Sequence, residues 1–120
     1  MSHVMTLKLE VKNPDLFVQV ARDLGLEVLG HGQHKLYYSR EFTGQAIRLP
    51  GWTYPVILDD QGQIHYDNYK GHWGDIAQLN ELTQRYVAET VMSEARMQGR
   101  NVWESVEEDG TLVLTVGGGW

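Results

Sequence analysis

From Asp75 to Gly99 the chain carries its longest stretch of helical period, with Ile76, Leu79, Leu82, Tyr86, Val87, Val91 and Ala95 on one stripe. Asp75 stands where an N-cap belongs, Gln78 three residues later completes a capping-box pattern, and Gly99 supplies the stop. On the outer face Glu81, Arg85 and Glu89 follow four apart, a spacing that supports a helix through ion pairs and implies no function. The segments around this helix repeat every second residue instead. A chain that must satisfy both periods is restricted to folds in which helix and sheet share one interior.

Met5, Leu7, Leu9 and Val11 alternate with Thr6, Lys8 and Glu10, which predicts a first strand with one face buried. Asn13 then reads as an N-cap, Pro14 as the first helical residue, and Leu16, Phe17, Val20, Ala21 and Leu24 as the apolar stripe of a short helix that Gly25 ends. Between Leu26 and Asp67 several short strands are predicted: Leu26–Leu29, Leu36–Tyr38, Ala46–Leu49, Pro55–Leu58 and Gln63–Tyr66. Asp59-Asp60-Gln61-Gly62 reads as a hairpin turn, and Pro55, lacking an amide hydrogen, as the start or edge of its strand. After the long helix, Val102–Glu107 and Thr111–Val116 form a predicted hairpin around Glu108-Asp109-Gly110.

The expected fold is therefore α+β, a largely antiparallel sheet with two helices packed on one face, in the order βα, strand meander, α, ββ hairpin. Residues 1–116 are expected to form a single domain, because 120 residues with 42% hydrophobic content suffice for one core and are too few for two. Gly117-Gly118-Gly119-Trp120 reads as a flexible tail. A sheet covered on one side only would leave a face for self-association to bury.

Charge narrows the partners. The chain has 10 Lys and Arg against 16 Asp and Glu, a net charge of −6, and its cations are scattered singly rather than gathered into a stripe. Phosphate backbones and anionic lipid surfaces are recognised by clustered cations, so neither nucleic acid nor membrane is expected as a partner. No apolar run approaches the length of a membrane span and the N-terminus lacks a signal-peptide core, which predicts a soluble, cytoplasmic protein. With no cysteine, disulfides, thiolate nucleophiles and Cys-ligated metals are excluded.

The feature richest in chemistry is the loop Asp67-Asn68-Tyr69-Lys70-Gly71-His72-Trp73-Gly74, which ends at the N-terminus of the long helix. Two readings stand open. In one, Asn68 and Gly71 make turns while Tyr69 and Trp73 plug a gap between meander and helix. In the other, Tyr69, Lys70, His72 and Trp73 are presented to an anionic or planar ligand or to a partner protein. Trp52 and Tyr54 add to the same aromatic concentration and join the candidate binding residues.

Other constellations carry less. His31 and His34 read as solvated residues of a turn and His65 as a strand residue facing water, so no metal site is assigned. Asp59-Asp60 and Glu107-Glu108-Asp109 lie next to one another in turn sequences, whereas acid–base chemistry needs carboxyls set across a cleft. No nucleophile elbow or phosphate-cradling loop is present. No catalytic residue and no cofactor is expected.

Several segments together resemble a family: Met1-Ser2-His3, Ala21-Arg22-Asp23-Leu24-Gly25, the block Tyr66 to Asp75, Arg85-Tyr86-Val87-Ala88-Glu89, Glu94-Ala95-Arg96 and Glu108-Asp109-Gly110-Thr111-Leu112. In these the chain is similar to the hypothetical chloroplast reading frame thirty-five family of cyanobacteria, algal plastids and cyanophages. The resemblance implies a setting in photosynthetic microbes or their viruses, with a stromal location for plastid members, and implies no activity or site residues. Three functional readings follow. The first is a non-enzymatic binding or adaptor protein that engages a protein partner or a second copy of itself. The second is a small-molecule-binding or metal-assisted catalytic domain using the loop around His72, and the third, disfavoured by charge, is a nucleic-acid binder.

Overall fold

The structure, a computed structural model, describes residues 4–7, 9–36, 40–108 and 112–117, and the chain divides into two compact units, Met1–Leu82 and Thr83–Trp120. The fold is α+β, with the predicted element order.

The first unit holds strands β1 (Met5–Leu7), β2 (Glu27–Lys35), β3 (Glu41–Arg48), β4 (Val56–Asp59) and β5 (Ile64–Tyr66), helix α1 (Pro14–Asp23) and the start of α2 (Ile76–Met97). Its strands make one antiparallel sheet in the order β1-β5-β4-β3-β2. Helix α1 begins as the sequence predicts, Asn13 Oδ1 accepting from the Leu16 N–H at 3.2 Å, and Pro14 stands at the first turn where no amide hydrogen is needed. It ends in a Schellman motif: Gly25 takes φ +78°, its N–H bonds the Arg22 carbonyl, and the Leu26 N–H reaches Ala21. Phe17, Val18, Val20 and Ala21 are its buried stripe.

Register sorts the sheet residues onto two faces. Leu7, Ile64, Leu58, Val56 and Ile47 share one face, and Thr6, His65, Ile57, Ala46 and Phe42 share the other. Both are filled at their centres. On the second face Leu36, Ala46 and Ile57 form a buried cluster with Val4, Phe42 and Tyr54 packed against it. The centre of the second face is thus filled by side chains of this unit.

Three sequence expectations give way. The first strand covers Met5–Leu7 rather than running to Val11, because its partner β5 is only three residues long. Beyond it, the Val11 N–H bonds the carbonyl of Gly62 in the β4–β5 turn. The segment from His31 to His34, read as a turn, lies inside the nine-residue strand β2, where it pairs residue by residue with Gln45 to Phe42. Gly30, at φ +96°, marks a bulge where the register skips Leu29, and Gly32 sits within the strand, so neither glycine turns the chain. Of the predicted strand Leu36–Tyr38, Leu36 follows β2 and is buried, and the two tyrosines lie outside the described residues.

In α2 Asp75 caps as expected, its Oδ1 accepting from the Ala77 N–H at 2.9 Å. The Gln78 half of the capping box is not formed, since its Oε1 is buried with no hydrogen-bond partner among the described residues. Leu79 and Leu82 are fully buried, whereas Ile76 is more than a third exposed.

The second unit comprises the rest of α2 and an antiparallel hairpin of β6 (Asn101–Val106) and β7 (Leu112–Gly117). Tyr86, Ala88 and Ala95 are buried, while Val87, placed on the apolar stripe by sequence, is exposed. Arg85 and Glu89 make the expected pair at 3.6 Å. The helix closes on a second Schellman motif, with Gly99 at φ +72°, its N–H on Arg96 and the Arg100 N–H on Ala95. Gly117 belongs to β7, and the turn residues Asp109 and Gly110 and residues 118–120 lie outside the described residues. Among the described residues no helix is long and apolar enough to cross a membrane.

Candidate functional site

The loop after β5 is built on its own backbone. Asn68 supplies its carbonyl to the N–H groups of Gly71 (3.0 Å) and Trp73 (2.9 Å), and its Nδ2 donates to the Gly74 carbonyl at 3.3 Å. The Tyr69 carbonyl accepts from His72, closing a single 3-10 turn over Tyr69–Gly71. Within that turn two consecutive residues that are not glycine, Tyr69 (φ +45°) and Lys70 (φ +52°), occupy the left-handed region, at roughly 1–2 kcal/mol each. The loop is anchored to the preceding segment twice: the Thr53 N–H bonds the Trp73 carbonyl (2.8 Å), and Trp52 Nε1 donates to the Asp75 carbonyl (3.2 Å).

This arrangement gathers the candidate residues that the sequence singled out. Trp73 lies stacked on Tyr69 with ring centroids 4.7 Å apart and meets Tyr54 edge-on at 5.6 Å, and His72 tilts against Tyr69 at 4.9 Å. Tyr69 is 37% exposed, and Lys70 and His72 are exposed beside it. Trp52 is set apart from this group. It is 4% exposed, meets Tyr66 edge-on, and lies so close to Gly74 that a Cβ there would come within 2.3 Å of its ring. Trp52 is thus a packing residue, while Tyr69, Lys70 and His72 are presented, so the two readings of the loop divide between residues. Among the described residues no hydrogen bond or ion pair is made by the His72 imidazole.

At the other end of β5 the structure assembles a polar chain. His65, expected to face water, is 6% exposed and stacks on Phe42 with centroids 4.1 Å apart and planes 14° from parallel. Its Nε2 is 2.6 Å from Asp59 Oδ2, and its Nδ1 is 2.9 Å from the Thr6 hydroxyl. Its burial has a physical reason: on the second face its neighbours Ile57 and Ala46 are interior, and an imidazole with both nitrogens bonded is tolerated beside them. Asp59 does turn work as foreseen, its Oδ1 accepting from the N–H groups of Gln61 and Gln63 at 2.9 Å, and it holds His65 as well. Burial pushes the Asp59 carboxyl up. The hydrogen bonds from His65 and from the Gln63 and Gln61 N–H groups, with the attraction of His65, outweigh that and hold it below its ordinary value. Gly44, paired with Asp59, is indispensable to this corner, since a Cβ would fall 2.0 Å from the Leu58 carbonyl oxygen.

The other histidines are more modestly employed. His31 pairs with Asp60 at 2.8 Å on the surface, and His34 Nε2 donates to the Gly30 carbonyl at 3.0 Å. His3 lies outside the described residues. Among the described residues no group of three His, Asp or Glu side chains is placed to hold a metal ion.

The sequence did contain a signal for the His65 corner. Asp59 opens the Asp59–Gln63 turn and His65 lies two residues beyond Gln63, opposite Ile57, so closing the hairpin puts the acidic and imidazole side chains on one face as diagonal neighbours. Thr6 had none, being 59 residues from His65 and reaching it only through strand pairing. Compared with known proteins, the chain matches no family model, no curated protein and no solved structure.

Proposed function

We propose that the chain is a binding or adaptor protein and that its contact surface is the loop Asp67–Gly74 with Tyr54. The observation that carries this reading is the left-handed pair Tyr69–Lys70. Backbone strain of this kind persists where the surrounding structure imposes it, and it clusters at sites of recognition. Here it turns an aromatic ring and an ammonium group outward together, beside the exposed His72. Aromatic side chains supply much of the energy at the centres of protein interfaces, and a ring already stacked on Trp73 loses little rotamer freedom on binding. A protein partner fits these features better than a small ligand does, because the group is presented on a turn. The setting we propose is that of the family the chain resembles, photosynthetic microbes and their phages.

The test is affinity capture from cyanobacterial lysate on the immobilised chain, with Tyr69→Ala and His72→Ala run alongside and folding checked by circular dichroism. A partner retained by the wild type and lost by Tyr69→Ala is the expected result. Retention of the same proteins by both variants removes the loop from the reading.

A further inference from the structure

We infer that Thr6 is a nucleophile activated by His65, and that the chain transfers acyl groups from small carboxylic esters to water. This goes beyond the binding reading and uses none of the loop residues. It sets aside the expectation that the chain has no catalytic constellation.

The protonation pattern follows from the partners. An ionised carboxylate only accepts, so Asp59 Oδ2 requires the proton on His65 Nε2. In the neutral ring Nδ1 then carries the lone pair, and the Thr6 hydroxyl 2.9 Å away donates to it. A hydroxyl, a base and a carboxylate that fixes the tautomer of the base are the three roles of the hydroxyl-nucleophile triad, which is recognised by geometry and not by chain order. Stacking on Phe42 fixes the plane of the ring, and the two Asp59 turn bonds fix the carboxylate. His65 is buried while Thr6 is exposed on β1, the edge strand of the sheet, so a water-accessible hydroxyl is backed by a shielded base. Val4 and Phe42, partly buried on the same face, offer apolar surface to a short acyl chain.

The steps balance without any oxidant or metal. Thr6 Oγ1 attacks the ester carbonyl carbon as its proton passes to His65 Nδ1, the bond to the alcohol oxygen breaks, and the departing alkoxide takes that proton. Water then attacks the acyl-threonine, giving a proton to Nδ1, which returns it to Thr6 Oγ1 as the carboxylic acid leaves. Ester and water become acid and alcohol. Thr6 and His65 are the catalytic residues, and Asp59 is a positioning residue.

The probe is p-nitrophenyl acetate with the full-length chain, read as p-nitrophenolate release and as acetylation located by peptide mass mapping. Release above the buffer rate, with a single acetyl group on Thr6, is expected. Thr6→Ser retains it, and Thr6→Val, which keeps the side-chain shape at an exposed position, lowers it by about a hundred-fold or more. Asp59→Asn lowers the rate and also flattens the pH–rate profile, because the carboxamide can donate to Nε2 and leave the proton on Nδ1 facing Thr6. A purely structural Asp59 would lower the rate and leave the profile unchanged. The inference is overturned by no release above buffer, by Thr6→Val hydrolysing as fast as wild type, or by acetyl found only on lysines or on another residue. Loss of the captured partner in Tyr69→Ala bears on the binding loop alone, so the two readings fail separately.

Discussion

Strand β5 is bracketed by two aspartates with opposite circumstances. Asp59, just before the turn that leads into it, is partly exposed and gives its carboxylate three donors: two backbone N–H groups and the His65 imidazole. Asp67, just after it, is wholly buried. Its Oδ1 accepts one N–H, from Tyr69 at 3.2 Å, and its Oδ2 has no hydrogen-bond partner among the described residues. One carboxylate organises a corner that is satisfied throughout, and the other sits beneath a loop whose backbone is strained. The contrast separates two ways of placing polar side chains: a saturated polar network that fixes a buried imidazole, and a locally unfavourable turn that holds side chains outward.

The largest expected effect breaks or confirms that contrast directly. Asp59→Ala removes acceptors from Gln61 and Gln63 and strands the buried Nε2–H of His65, which should cost about 3 kcal/mol of stability. Asp67→Ala gives up one long hydrogen bond and at the same time removes an unpartnered carboxylate oxygen, so its cost should be about 1 kcal/mol. Urea unfolding of both variants against wild type measures the difference. If Asp67→Ala proved the more damaging, the loop and not the His65 corner would be the polar keystone of this unit.

Acid sharpens the same comparison. The Asp59 carboxyl is held below its ordinary value of 3.8 in the folded chain, so between the two values the unfolded chain binds more protons and stability rises with pH. The contribution is present in full above 3.8 and drains away as pH falls through the lower folded value. Wild type should therefore lose stability in this range more steeply than Asp59→Asn, whose side chain does not titrate. Thermal unfolding of the two proteins from pH 6 down to about pH 3 checks the slope; parallel curves would mean that His65 and the turn amides do not hold the Asp59 charge.

How much of this was readable without coordinates also divides along β5. The loop residues Tyr69, Lys70, His72 and Trp73 are contiguous, so an unusual density of rings next to an N-cap was visible in the chain itself. Both helices were legible for the same reason: Asn13, Pro14 and Gly25 punctuate one, and Asp75 and Gly99 the other, all by local backbone demands. The His65 corner is assembled by strand pairing across 59 residues, and alternation gives the face of a residue only once its register is known. Strand β2 was obscured by its glycines, because a bulge at Gly30 and a turn ask for the same residue type. Tyr69 and Lys70 advertised nothing of their left-handed backbone, since neither residue type favours it and only the surrounding bonds impose it.

The smallest effect tests whether that strain belongs to the function. Glycine adopts a φ near +52° without steric cost, so Lys70→Gly relieves a left-handed residue; set against the greater freedom glycine brings to the unfolded chain, the net gain should be about 0.5–1 kcal/mol. The Lys70 side chain is exposed, and no packing is lost to offset that gain. On the binding reading, the same substitution should weaken partner capture, because the ammonium group is gone and the turn that presents Tyr69 is free to relax. A chain that becomes more stable and binds less well would show stability conceded for presentation at this loop. Denaturant unfolding and capture measured on one preparation decide it, and a Lys70→Gly protein both more stable and equally competent to bind would reduce the left-handed pair to an accident of the turn.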